Sequence, residues 1–183
     1  MNILATALAG VVVVETTIVH DERGAFTRLF CASELSGVMG ERRIVQVDHS
    51  RTALAGAVRG LHFQHPPRAE MKLVRCLKGR VLDVAIDLRA GSSSLLQWHA
   101  EELSPANARM LVIPEGCAHG FQTLDPESEL LYAHTASYAR DAEDGVRFDD
   151  PRIGIRWPLP VSDLSARDRS FALIPADFRG IAV

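Results

Sequence analysis

The segment that most constrains the fold runs from Met71 to Leu88, two apolar stretches separated by Lys78-Gly79. In its second arm Leu82, Val84, Ile86 and Leu88 alternate with Val81, Asp83, Ala85 and Asp87. A period of two sends successive side chains to opposite faces, so this arm reads as a half-buried β-strand. The two arms joined through Lys78-Gly79 read as a β-hairpin.

Similar signals recur along the chain. Strands are expected at Val11 to Ile18, Ala25 to Phe30, Ile44 to His49, Val58 to Gln64, Trp98 to Leu103, Met110 to Ile113, Gly120 to Leu124 and Glu129 to Ser137. A short helix is expected at Ala32 to Met39, closed by Gly40. Turn-forming stretches at His20 to Gly24, Ser104 to Asn107, Pro114 to Gly116 and Asp125 to Glu127 fall at the spacing of a sandwich or barrel. No long amphipathic helix interleaves the strands, which argues against a parallel α/β sheet. The expected architecture is all-β: an antiparallel double-sheet jelly roll with a few short helices. Residues 1–183 are expected to form one domain, with 170–183 as a C-terminal tail.

Composition narrows the function. A net charge of −3 supplies no global attraction to nucleic acid or to anionic lipid, so neither is expected as a partner. Three cysteines, Cys31, Cys76 and Cys117, are too few and too scattered for a disulfide scaffold, and a reducing cytoplasm is the expected location. The opening MNILATALAGVVVVE has no Lys or Arg before Arg23 and is interrupted at Glu15. It lacks the charged region of a signal peptide and the length of a membrane span, and reads instead as strand.

Chemistry is concentrated in a few polar stretches. VRGLHFQ, residues 58–64, reads as a strand, yet a strand that only packed a core would carry valines where Arg59 and His62 stand. Alternation puts Arg59, Leu61 and Phe63 on one face and Val58, Gly60, His62 and Gln64 on the other. The chain's two tyrosines, Tyr132 and Tyr138, both lie in ELLYAHTASY, where Tyr132 and His134 share a face. A metal centre in a small β-barrel usually draws on His-x-His and a nearby carboxylate. That spacing is missing at His62 and His119, and His49, His62 and His119 are the remaining set that could assemble one. No metal and no cofactor is expected.

Taken together, ERG (22–24), RGLHFQ, the lysine of KLVR, KGRVLDVAIDLR, IPEGCAHGF, LLYAHTASY, GVRFDDPRIGIRWPL and the late SARD resemble the dTDP-4-dehydrorhamnose 3,5-epimerase family. The motifs follow in the same order over most of the chain, to Asp168. The resemblance implies a metal-free cupin-type jelly roll, usually a homodimer paired through its N-terminal strands, that moves protons at C3 and C5 of a nucleotide-linked 4-keto-6-deoxyhexose. It implies His62 as base, Asp168 bonded to its other nitrogen, Lys72 facing the C4 oxygen and Tyr132 as the acid on the opposite face. It further implies Arg23, Arg59 and His119 on the diphosphate, with Gln46, Phe26 and Tyr138 toward the sugar or the nucleobase.

Three departures concern the substrate rather than the proton transfers. The family usually carries an aromatic at the position of Ala25, a carboxylate at Arg28, and Asp-Asn at Val47-Asp48. A guanidinium donates hydrogen bonds where a carboxylate accepts them, so Arg28 is a candidate for altered nucleotide recognition. The alternatives left open are a single-position epimerase of another nucleotide sugar, a metal-dependent cupin oxygenase or isomerase, and a nucleotide-sugar binding module.

Overall fold

Apolar residues at alternate positions draw much of this chain into strands that hide at least one face. The computed structural model describes residues 1–183. Its strands are β1 (Asn2–Ala5), β2 (Val12–Glu15), β3 (Ile18–Asp21), β4 (Gly24–Thr27), β5 (Gln46–Thr52), β6 (Val58–Gln64), β7 (Lys72–Lys78), β8 (Val81–Asp87), β9 (Trp98–Leu103), β10 (Arg109–Ile113), β11 (Cys117–Thr123), β12 (Ser128–His134) and β13 (Glu143–Gly145). Two short helices, α1 (Ser36–Met39) and α2 (Ala166–Ser170), complete the elements. No helix is long and apolar enough to cross a membrane.

The strands form a six-stranded sheet, β1-β2-β10-β7-β12-β5, and a five-stranded sheet, β13-β6-β11-β8-β9, with β3 and β4 as a separate hairpin. Neighbouring strands run antiparallel throughout. Between the sheets, Val13, Val74, Leu111 and Leu130 meet Val81, Ala85, Cys117 and Phe121 in a buried core. The outer face of the larger sheet packs Val14, Leu73 and Met110 under Leu35 and Met39. The outer face of the smaller sheet packs Leu61, Val84, Ile86 and Leu88 under Ile153, with Ile174, Phe178 and Ile181 against it.

Several expectations are revised by this arrangement. Lys78-Gly79 does not close a hairpin, because β7 and β8 lie in different sheets. The turn is a corner between layers: Gly79 has φ +73°, and a Cβ there would sit 2.4 Å from Ser128 Oγ. Nor is β8 half-exposed. Its apolar row is covered by the C-terminal segment, while Asp83, Ala85 and Asp87 are fully buried on the row facing the other sheet. Residues 11–18 break at Thr16, whose backbone and hydroxyl both donate to Ala108 O, so β2 and β3 enter different sheets. The helix expected from Ala32 is confined to Ser36–Met39, because Ala32 to Leu35 are taken up in turns. The C-terminal tail, 170–183, packs on the outer face of the smaller sheet and pairs Ile181 with Arg89.

The alternation in β6 is also broken. His62 pairs with His119 and Arg59 with Phe121, so three steps along β6 match two along β11. This bulge turns Arg59 and His62 to the same face, between the sheets, instead of to opposite faces. Gly60 sits in it at φ +115°, and a Cβ there would lie 2.6 Å from Gly120 Cα and 2.7 Å from His119 O. Replacing Gly60 by Ala should therefore cost about 2–4 kcal/mol from combined backbone strain and overpacking. Thermal unfolding should show a midpoint at least ~4 °C lower for a chain of this length. An unchanged midpoint would contradict this account of the bulge.

Candidate active site

The inward faces of the two sheets do not close completely. They leave a cavity of about 470 Å³ lined from β5, β6, β7, β11, β12 and β13. His62 and Arg59 enter it from β6 and His119 from β11, all on the smaller sheet. Gln46, Asp48 and Ser50 enter from β5, Lys72 from β7, and Tyr132 and His134 from β12, all on the larger sheet. His62 and Tyr132 thus face the space from opposite layers.

His62 is held by the chain's distant end. Asp168 Oδ1 lies 2.7 Å from His62 Nε2, and Asp168 Oδ2 accepts the Gly60 N–H at 3.2 Å. Helix α2 presents this carboxylate, and Ser165 caps it by accepting the Asp168 N–H at 3.0 Å. Burial pushes the Asp168 carboxyl up, but His62, Gly60 and Ser165 outweigh it and hold the group below its ordinary value. Asp168 therefore stays ionised, and its bond fixes the imidazole's orientation. Nδ1 of His62 has no protein partner. Phe171 packs edge-on against His62 at 5.8 Å between ring centroids, and the Arg167 guanidinium lies over Phe171.

A second imidazole–carboxylate pair lies deeper. His119 Nε2 is 2.7 Å from Asp83 Oδ1, with both residues buried. Asp83 Oδ2 has no partner, and desolvation pushes this carboxyl up against the opposing pull of His119 and Lys72. His119 stands edge-on to Tyr132 at 6.0 Å, and His134 lies nearly parallel to the tyrosine ring at 6.1 Å. Burial raises the Tyr132 hydroxyl above its ordinary range, so the group is protonated at neutral pH. Burial and the Lys72 charge push His134 down to about 4 against the pull of Asp48, leaving it neutral.

Lys72 is 8 % exposed. Its ammonium donates to His62 O at 3.1 Å and pairs with Glu70 Oε1 at 3.0 Å. At the mouth, Gln46 donates to Asp48 Oδ2 at 2.6 Å and accepts the Tyr138 N–H at 2.9 Å. Tyr138 donates its hydroxyl proton to Glu143 at 2.7 Å, and Glu143 also pairs with Arg167. Arg59 is exposed, with Nη2 on Arg51 O at 3.2 Å.

The structure thus gathers eight of the expected residues, His62, Asp168, Lys72, Tyr132, Arg59, His119, Gln46 and Tyr138, around one space. Arg23, Phe26 and Arg28 are not among them. They lie at the β3–β4 hairpin, where Arg23 pairs with Asp21, Arg28 with Glu34 at 2.5 Å, and Phe26 is 70 % exposed. Sequence reasoning missed Glu70, Asp83, Glu143 and Phe171. Asp83 was findable as one of two acids, with Asp87, in an otherwise apolar strand; Glu143 and Phe171 sit in segments with no periodic signal.

This chain is similar to known proteins over nearly its whole length. The dTDP-4-dehydrorhamnose 3,5-epimerase family pattern matches residues 5–175. A protein of that name from Salmonella typhimurium is 39% identical over 176 residues, covering 95% of this chain and 96% of the relative. Another, from Methanothermobacter thermautotrophicus, is 39% identical over 171 residues, 92% of this chain and 91% of the relative. Among solved structures, a dTDP-6-deoxy-D-glucose-3,5-epimerase from Legionella pneumophila, in complex with dTDP-4-keto-L-rhamnose, superimposes with a TM-score of 0.91 at 35% identity. It covers 100% of this chain and 98% of its own. A 3'-monoepimerase from Streptomyces bikiniensis, in complex with dTDP-quinovose, matches with a TM-score of 0.87 at 26% identity, covering 93% of this chain and 86% of its own. With the family pattern spanning residues 5–175 and relatives matched nearly end to end, the chain belongs to the dTDP-4-dehydrorhamnose 3,5-epimerase family of isomerases.

Proposed function

We propose that the cavity epimerises a nucleoside-diphosphate 4-keto-6-deoxyhexose at C3, C5 or both, as a step in deoxysugar synthesis. The observation that carries this reading is the placement of His62 and Tyr132 on opposite sheets with Lys72 between the layers. His62 takes the proton from a carbon beside the C4 ketone, and the bonding pair moves into the enolate. Lys72 donates to the C4 oxygen as charge develops there. Tyr132 returns a proton from the other side, which inverts the centre. Asp168 holds His62 oriented and stabilises its protonated form, as a carboxylate does for other catalytic imidazoles.

The rest of the cavity fits a nucleotide sugar. Arg59 grips the diphosphate from the exposed rim, where a guanidinium fork matches phosphate oxygens. His119 has only Nδ1 to offer, because its Nε2 faces Asp83. Gln46 and Tyr138 contact the sugar or base at the mouth. The dTDP-sugars bound by the Legionella and Streptomyces relatives support a nucleotide-linked substrate, and the latter, a monoepimerase, keeps C3 alone as a second reading. A metal-dependent reaction has less support, since no three His, Cys, Asp or Glu side chains converge as ligands.

A homodimer completes the site in this reading. Arg23, Phe26 and Arg28 project on a hairpin with no partner sheet, and Val19 and Phe26 on it are 58 % and 70 % exposed. Pairing two chains through this region would cover those side chains and deliver the hairpin to the partner's cavity. Light scattering at micromolar concentration should give twice the chain mass, and a monomer would contradict the pairing. In deuterated buffer the protein should exchange solvent deuterium into C3, C5 or both of dTDP-4-keto-6-deoxyglucose. His62→Ala should slow that exchange about 100-fold or more. An unaltered rate in the variant would remove His62 from the role of base.

A further inference from the structure

We propose that Glu70 is a positioning residue for Lys72: it fixes the direction in which the ammonium donates into the cavity and supplies its countercharge. The inference rests on Lys72 being the group that meets the C4 oxygen, and extends that reading to a residue outside the expected set. Glu70 lies two positions before Lys72, and both are buried beside the cavity. Glu70 Oε1 pairs with Lys72 Nζ at 3.0 Å.

An ammonium has three donors on a freely turning stem. Here one meets Glu70 and one meets the carbonyl of His62 at 3.1 Å, so a single donor is left for a ligand. Two fixed partners define where that third donor points. A donor held in place before charge develops stabilises an oxyanion without reorganising. The other groups near the ammonium do not replace Glu70: His134, opposite Lys72 on β12, is neutral, and Asp83 on β8 already bonds His119.

Glu70 is itself fixed. Its Oε2 accepts from Gln64 Nε2, and that amide also donates to Arg68 O at 2.8 Å while Gln64 Oε1 accepts the Ala139 N–H at 2.5 Å. The chain of contacts therefore runs from backbone through Gln64 and Glu70 to Lys72. A carboxylate serving only to bury a lysine would not require this second tier of fixed partners.

The test is a double-mutant cycle on solvent deuterium exchange and on kcat and KM. Glu70→Gln keeps the shape and the Gln64 contact but removes the charge. It should lower kcat at least tenfold with KM within twofold, and Glu70→Asp, which keeps the charge, should recover part of the loss. Lys72→Met should lower kcat more, and adding Glu70→Gln to Lys72→Met should cause no further loss. Matching circular dichroism and melting curves would establish that the variants are folded. An unchanged kcat in Glu70→Gln, or a loss that adds in full to that of Lys72→Met, overturns the proposal. Full activity in Lys72→Met would instead overturn the role given to Lys72 under the proposed function.

Discussion

The close approach of β6 to β11 at Gly60 and Gly120 is the contact on which the site depends. With Gly60 Cβ-free and its φ positive, the two backbones can nearly touch, and β6 gains one residue over its partner. That extra residue reverses the facing of everything N-terminal to it, so Arg59 and His62 both look between the sheets. It also leaves the Gly60 N–H to be satisfied from outside the ladder, and Asp168 accepts it with the oxygen that His62 does not use. One backbone irregularity thereby sets the imidazole, its carboxylate and the neighbouring cation. Residues more than a hundred positions apart meet there, which is why the docked C-terminal segment belongs to the site.

A sandwich interior that holds so many ionisable groups must arrange their charges, because a buried unpaired ion is costly. The carboxylates of Asp168, Glu70 and Glu143 each face a cation or an imidazole, and Asp83 faces His119. The consequence is a division of proton states. Asp168 stays ionised, His134 stays neutral, and Tyr132 keeps its proton. A tyrosine held protonated opposite an imidazole with an unpartnered nitrogen is the arrangement that proton removal on one face and delivery on the other requires. The low dielectric around the cavity strengthens each of these interactions relative to water.

Much of the fold was legible because period-two alternation and turn residues act locally. Trp98–Leu103 and Val58–Gln64 have the bounds that their flanking residues suggest. Partners and faces were less legible. Lys78-Gly79 announces a reversal, yet whether the next strand pairs with the last or crosses to another layer depends on contacts made elsewhere in the chain. A bulge such as that at Gly60 has no mark beyond the glycine itself. The core of the site, His62, Lys72, Tyr132 and Asp168, was reached through motif resemblance, since a histidine in a strand has several ordinary explanations. Glu70 and Phe171 escaped because their roles come from what folds against them, and Arg23, Phe26 and Arg28 lie where one chain alone does not bring them to its cavity.

The central claim is that removal and return of the proton occur from opposite layers. The most direct test follows the fate of the substrate centre in Tyr132→Phe, measuring deuterium incorporation and stereochemical inversion in the same reaction by NMR. Phenylalanine preserves the ring contacts with His119 and His134 and removes only the hydroxyl. The account predicts that His62 continues to exchange the carbon-bound proton while inversion falls away, so the ratio of exchange without inversion to inversion rises well above that of the wild type. A variant in which exchange and inversion decline together, at the wild-type ratio, would contradict it.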